Sequence, residues 1–98
     1  MKDNQALIVV DVQKDFLETG ALPVKDGSQV VPVINRISPK FKHVVFTQDW
    51  HPQGHISFAS SHPGKAPYST IDVSYGKQVL WPEHCVQNTV GAEFADGL

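Results

Sequence analysis

Asp49-Trp50-His51 sets a carboxylate and an imidazole two positions apart, directly after an apolar stretch. In extended backbone that spacing sends both side chains to the same side, so the pair can share one metal ion. His84, in Trp81-Pro82-Glu83-His84-Cys85, brings a second imidazole from a distant part of the chain. An Asp, His, His set with water in the remaining positions is the open type of site that suits zinc, manganese or iron. His55 is a further candidate ligand. Spacing alone leaves open the plainer alternative that these histidines only cap surface loops.

Asp11 follows the apolar run Ala6-Leu7-Ile8-Val9-Val10. A carboxylate at the mouth of an apolar crevice is poorly solvated when ionised and becomes a better proton acceptor, the property of a general base. The alternative for Asp11 is a side chain that caps the turn after a strand. Phe16 and Trp81 are either core residues or the walls of a pocket for a flat ring. Cys85 has His84 as its neighbour, which suggests a nucleophile. On extended backbone, however, adjacent side chains point opposite ways, so a metal-facing His84 turns Cys85 into packing. His43, His62, Lys14 and Lys77 read as surface groups.

The elements that must position these groups are legible in outline. Ala6 to Val10 is a β-branched run without alternation, which suits a parallel strand covered on both faces. After the turn-rich segment Thr19 to Gly27, Val30, Val33, Ile34 and Ile37 fall on one helical face, with Ser28 as expected N-cap and Pro32 early enough to be tolerated. Ser38-Pro39 ends that helix, and His43 to Thr47 reads as a second strand. Strand, helix, strand makes a βαβ unit, so Asp11 and Asp49 are expected at one sheet edge, where open α/β sheets place their ligands. The stretch from Trp50 to about Trp81 is rich in Pro, Gly, Ser and His and reads as a long functional loop, with a short hairpin between Tyr68 and Val79. Asn88 to Phe94 is expected to begin a helix.

Composition narrows the function classes. With 98 residues the chain is at most one domain, and its 41% apolar content, 18% charged content and net charge of -2 lack the basic excess that nucleic acid or anionic lipid would require. The longest apolar run, Ala6 to Val10, is far short of the ~20 residues that span a bilayer. Cys85 is the single cysteine, so no internal disulfide forms, and the opening residues lack a signal-peptide core. A cytoplasmic location is the resulting expectation, with no membrane partner and a homo-oligomer left open.

Three ordered segments resemble the nicotinamidase branch of the isochorismatase-like cysteine hydrolases: Ala6 to Phe16 with its Asp-Val-Gln-x-Asp-Phe motif, Thr47 to Ala59 with Asp-Trp-His-Pro, and Trp81 to Phe94 with Trp-Pro-x-His-Cys-Val-Gln-Asn-Thr-x-Gly-Ala-Glu-Phe. The resemblance implies an α/β fold, the N-terminal part of a doubly wound parallel sheet in a three-layer α/β/α arrangement, with residues 1–98 forming a partial domain. It implies hydrolysis of nicotinamide to nicotinate and ammonia, as in NAD salvage. Asp11 would be the general base, Asp49, His51 and His84 the ligands of one divalent metal ion, zinc before manganese or iron, and Phe16 with Trp81 the walls of the nicotinamide pocket. His55 aligns less closely, since only some members have a histidine there. The family's lysine and nucleophilic cysteine lie beyond the Gly-Ala-Glu-Phe segment and have no counterpart in this chain; Cys85 matches a non-catalytic cysteine. The chain alone is therefore expected to be inactive, with an unpaired sheet edge. A catalytically silent metal-binding fragment and an amidase for another small carboxamide are the competing functions.

Overall fold

The computed structural model describes residues 4–98. Strand β1 (Ala6–Val9) and strand β2 (His43–Phe46) pair in parallel, with Ala6 opposite His43 and Val9 opposite Phe46. The ladder runs on past the strand ends, where Thr47 N donates to Val9 O at 2.9 Å and Asp11 N to Thr47 O at 3.3 Å. The two carboxyl ends thus leave the sheet side by side, as the βαβ reading requires.

Helix α1 (Val30–Ile37) connects the strands. Its end before Ser38-Pro39 is the one read from the sequence, but it starts at Val30 rather than directly after Ser28, and its orientation is rotated. Ile34 is buried and Val31 packs beside it, whereas Val30 and Val33 remain about 40% exposed. With apolar residues at 30, 31, 33, 34 and 37 the stripe is broad, and the sheet takes its centre. Ser28 does not cap the helix. It lies in a 3-10 turn (Gly27–Gln29), and both its N–H (2.8 Å) and its hydroxyl (2.5 Å) donate to the Glu18 carboxylate. That carboxylate stands near the positive end of the helix, and the Ser28 hydroxyl foremost holds its proton affinity below the ordinary carboxylate range. Pro32 falls in the first turn, where its missing N–H has no partner to lose. The helix stops before Ser38-Pro39, which form a separate 3-10 turn (Ser38–Lys40).

The core lies under α1, where Val9, Val12, Ile34 and Ala95 are buried with Leu7, Leu17, Val31, Val44 and Leu98 against them. This corrects one expectation, that β1 is covered on both faces. Leu7 and Val9 turn toward the helix, while Ile8 (61%), Val10 (65%) and Val45 (51%), the register partner of Ile8, face outward and stay exposed. One helix can cover only one side of a sheet. Among the described residues β1 and β2 form a two-stranded sheet, each with its outer edge unpaired.

The segment after Trp50 is irregular as expected and contains the hairpin, β3 (Thr70–Val73) antiparallel to β4 (Gly76–Val79). Phe58 before the hairpin, and Leu80 and Cys85 after it, are fully buried. Asn88 to Phe94 departs from expectation. It forms no α-helix, only a 3-10 turn (Val90–Ala92), because its backbone is committed to the first motif instead. Lys14 N donates to Glu93 O at 2.9 Å, Ala95 N to Val12 O at 2.9 Å, and Gln13 bridges Phe94. Asn88, at φ 63°, sits in left-handed backbone that an α-helix cannot accommodate. No helix among the described residues is long and apolar enough to cross a membrane.

Candidate metal centre

Asp49, His51 and His84 converge, each offering a ligand atom within 4.8 Å of the others. Asp49 Oδ1 lies 3.6 Å from His51 Nε2, and Asp49 Oδ2 lies 3.6 Å from His84 Nε2. Both separations are too long for a hydrogen bond. Two donors each about 2.1 Å from a tetrahedral ion stand about 3.4 Å apart, so these gaps match an ion held between the groups.

The orientation of each ligand has a local cause. Extended backbone at 49 to 51 puts Asp49 and His51 on one side and leaves Trp50 exposed on the other. His51 is pinned by pairing with the third motif, its N–H donating to Cys85 O and its carbonyl accepting from Gln87 N, each at 2.8 Å. His84 is buried, and its Nδ1 is 2.8 Å from Pro82 O. That bond fixes the tautomer and leaves Nε2 as a lone-pair donor toward Asp49, the outer support usual for metal-bound imidazoles. His51 Nδ1 is buried without a hydrogen-bond partner among the described residues. Burial, more than any neighbour, keeps the His51 imidazole below its ordinary proton affinity, with Asp49 opposing and His84 and His55 reinforcing. A neutral imidazole is the form that binds a metal.

Phe58, fully buried, was not singled out by its sequence context, yet it organises the histidines. Its ring meets those of His51 (5.2 Å), His84 (5.5 Å) and His55 (5.8 Å), with interplanar angles of 62° to 64°. The His55 ring lies 4.8 Å from that of His51, tilted by 58°, while its Nδ1 is 2.7 Å from Ser57 Oγ. His62 is not a free surface group, since its Nε2 lies 2.7 Å from Ile56 O and folds the loop. Lys14 and Lys77 pair with Glu93 and Asp72, each at 2.7 Å.

Asp11 stands at the carboxyl end of β1 in left-handed backbone (φ 53°). Its Oδ1 accepts from the Thr47 hydroxyl at 2.6 Å, and its N–H donates to the same hydroxyl at 3.0 Å, so Thr47 fixes the direction of the carboxylate. Phe16 lines an open cavity of about 320 Å³ together with Asp11, Val24 and Val30, and its ring lies 5.6 Å from that of His84. The ring contact of Trp81 is with Tyr68, edge-on at 6.0 Å, while the Trp81 backbone pairs with Ser57 and Ala59. Phe16 is thus brought beside Asp11 and His84.

Cys85 is fully buried, as expected, but not for the reason given by strand alternation. Its φ of 49° is left-handed, so the residue turns inward by a backbone kink. Burial first, then the carboxylates of Asp15, Asp49 and Asp11, push its thiol up to about 12. A thiol so held is no nucleophile.

A family model described as the isochorismatase domain matches residues 5–98. A nicotinamidase of Acinetobacter baylyi is 54% identical over 96 residues, covering 98% of this chain and 45% of the relative. Among solved structures, an Acinetobacter baumanii nicotinamidase and pyrazinamidase superposes with a TM-score of 0.95 at 54% identity, covering 99% of this chain and 47% of the other. A Pyrococcus horikoshii pyrazinamidase solved in complex with zinc superposes with a TM-score of 0.64 at 43% identity, covering 92% and 44%. The chain spans about half the length of the relatives it matches.

Proposed function

The chain belongs to the isochorismatase domain family, and on that premise we propose that it is the N-terminal part, residues 1–98, of a metal-dependent nicotinamidase converting nicotinamide to nicotinate and ammonia for NAD salvage. The observation that carries the reading is the meeting of Asp49 with His51 and His84 at 3.6 Å each. Zinc is the favoured ion, on the strength of the Pyrococcus relative and of a donor set with two imidazoles, with manganese or iron as alternatives. Bound there, the ion would hold and polarise a ring nitrogen or an ordered water.

The remaining roles belong to side chains of this chain. Asp11 acts as general base: with Oδ1 occupied by Thr47, Oδ2 is the oxygen that takes the proton. Phe16 offers a flat apolar surface beside both Asp11 and His84, suited to one face of a pyridine ring. Trp81 is proposed as the opposite wall. The attacking cysteine of the family is not among these residues, so this chain contributes binding and proton transfer rather than the covalent step.

Two measurements test the proposal. The 98-residue chain should bind one equivalent of zinc, and Asp49→Ala should abolish that binding. A longer protein containing this segment should release ammonia from nicotinamide and lose activity to a chelator. Activity that survives complete metal removal would overturn the metal assignment. Zinc bound without turnover in any such protein would favour a catalytically silent binding role. Faster turnover of aliphatic amides than of nicotinamide or pyrazinamide would point to another carboxamide substrate.

A further inference from the structure

We infer that Gln13 is the positioning residue for Asp49; the inference rests on the metal reading above. Gln13 is one of the largest fully buried side chains of the molecule, an unusual place for an amide. Its Oε1 accepts from Asp49 N at 2.8 Å, and its Nε2 donates to Asp49 O at 2.8 Å. The side chain thus pairs with both backbone groups of one residue, as a neighbouring strand would, although Asp49 lies beyond the end of β2. A second donation from Nε2, to Ala92 O at 2.8 Å, orients the amide and ties it to the third motif. Gln48 Nε2 reaches the same carbonyl at 2.9 Å.

The consequence is geometric. A carboxylate that must meet one imidazole with each oxygen tolerates little rotation of its own backbone. The Gln13 amide clamps that backbone on its two polar groups. Removing the clamp leaves the Asp49 N–H and carbonyl to find water, and the Asp49 side chain swings with them. Supports of this kind around a metal ligand typically change metal affinity by about 10- to 100-fold.

The test is zinc affinity of the 98-residue chain by competition with a chromophoric chelator, alongside the visible spectrum of the cobalt(II) form, which reports ligand geometry. Gln13→Met keeps the volume and removes the amide. It should bind zinc about 10- to 100-fold more weakly and shift the cobalt bands. Asn35→Ala serves as the structural control, because it breaks an exposed link to Gly97 O (2.6 Å) away from the site; it should leave both readouts unchanged. Should Gln13→Met not fold, Gln13→Leu likewise removes the amide with an apolar side chain and adds no charge, and the same two readouts apply. Wild-type affinity and spectrum in a folded Gln13 variant would overturn the inference. If the unaltered chain takes up no metal, the metal reading fails by itself. Hydrogen exchange at the Asp49 amide then decides the clamp: faster exchange in the Gln13 variant sustains it, and an unchanged rate refutes it.

Discussion

The Asp15 carboxylate occupies the space that a Cβ would need at Gly91. A methyl group there would overlap Asp15 Oδ1, Oδ2 and Cγ. From that position Asp15 accepts the Cys85 N–H at 2.8 Å and the Ala21 N–H at 3.3 Å, so one acid joins the loop after the first motif to the kink that follows His84. Gly91 is required here for closeness, not for backbone freedom.

Gly91→Ala should therefore destabilise the chain by about 1–3 kcal/mol, the usual cost of forcing extra volume into a packed contact. In a domain of this size each kcal/mol corresponds to roughly 4–8 °C of melting temperature. Differential scanning calorimetry measures it. A variant that melts with the wild type would show that Asp15 moves aside freely.

Phe58→Ala removes the ring against which three imidazoles lean. Loss of a fully buried phenylalanine costs about 3–5 kcal/mol. Phe58→Leu refills most of the volume and should lose under half of that, yet it cannot restore the edge contacts to His51, His55 and His84. Urea titration gives the stabilities, and zinc affinity should fall in both variants. Undiminished affinity in Phe58→Leu would confine this residue to packing.

Cys85, with its thiol pushed up to about 12 chiefly by burial, should resist Ellman's reagent in the native chain at pH 8 and react fully in denaturant. Rapid labelling of the native chain would contradict the burial described for it.

His51 is held below its ordinary value of about 6.5 by desolvation, with Asp49 pulling the other way. The unfolded chain then binds a proton more readily than the folded one. The resulting stability is complete above about 6.5 and declines as pH falls through the lowered folded value. Metal-free chain should show a urea midpoint that drops on acidification below about 6.5, and His51→Asn should show a shallower drop. Parallel curves for the two would assign the acid sensitivity elsewhere.

The positions of β1, α1 and β2 could be read from residue type because local rules govern them, namely β-branched runs, an apolar helical stripe and a proline stop. Asp49 and His51 could be paired because an interval of two has one meaning in extended backbone. What escaped was set by distant partners. Nothing local says that Glu18 rather than Ser28 tends the start of α1, or that the backbone of 93 to 95 is taken by Val12 and Lys14 in place of a helix. Gln13, Thr47 and Phe58 looked ordinary because their roles exist only once the three motifs meet. The mark of Gln13 is its complete burial, and burial is not written in a sequence.

The sheet is dry on the side of Leu7 and Val9 and wet on the side of Ile8, Val10 and Val45. Water must order itself over branched hydrocarbon on that second side, and any flat apolar surface that displaces it lowers the free energy. A second apolar layer laid over Ile8, Val10 and Val45 would therefore be held in place by the release of that water.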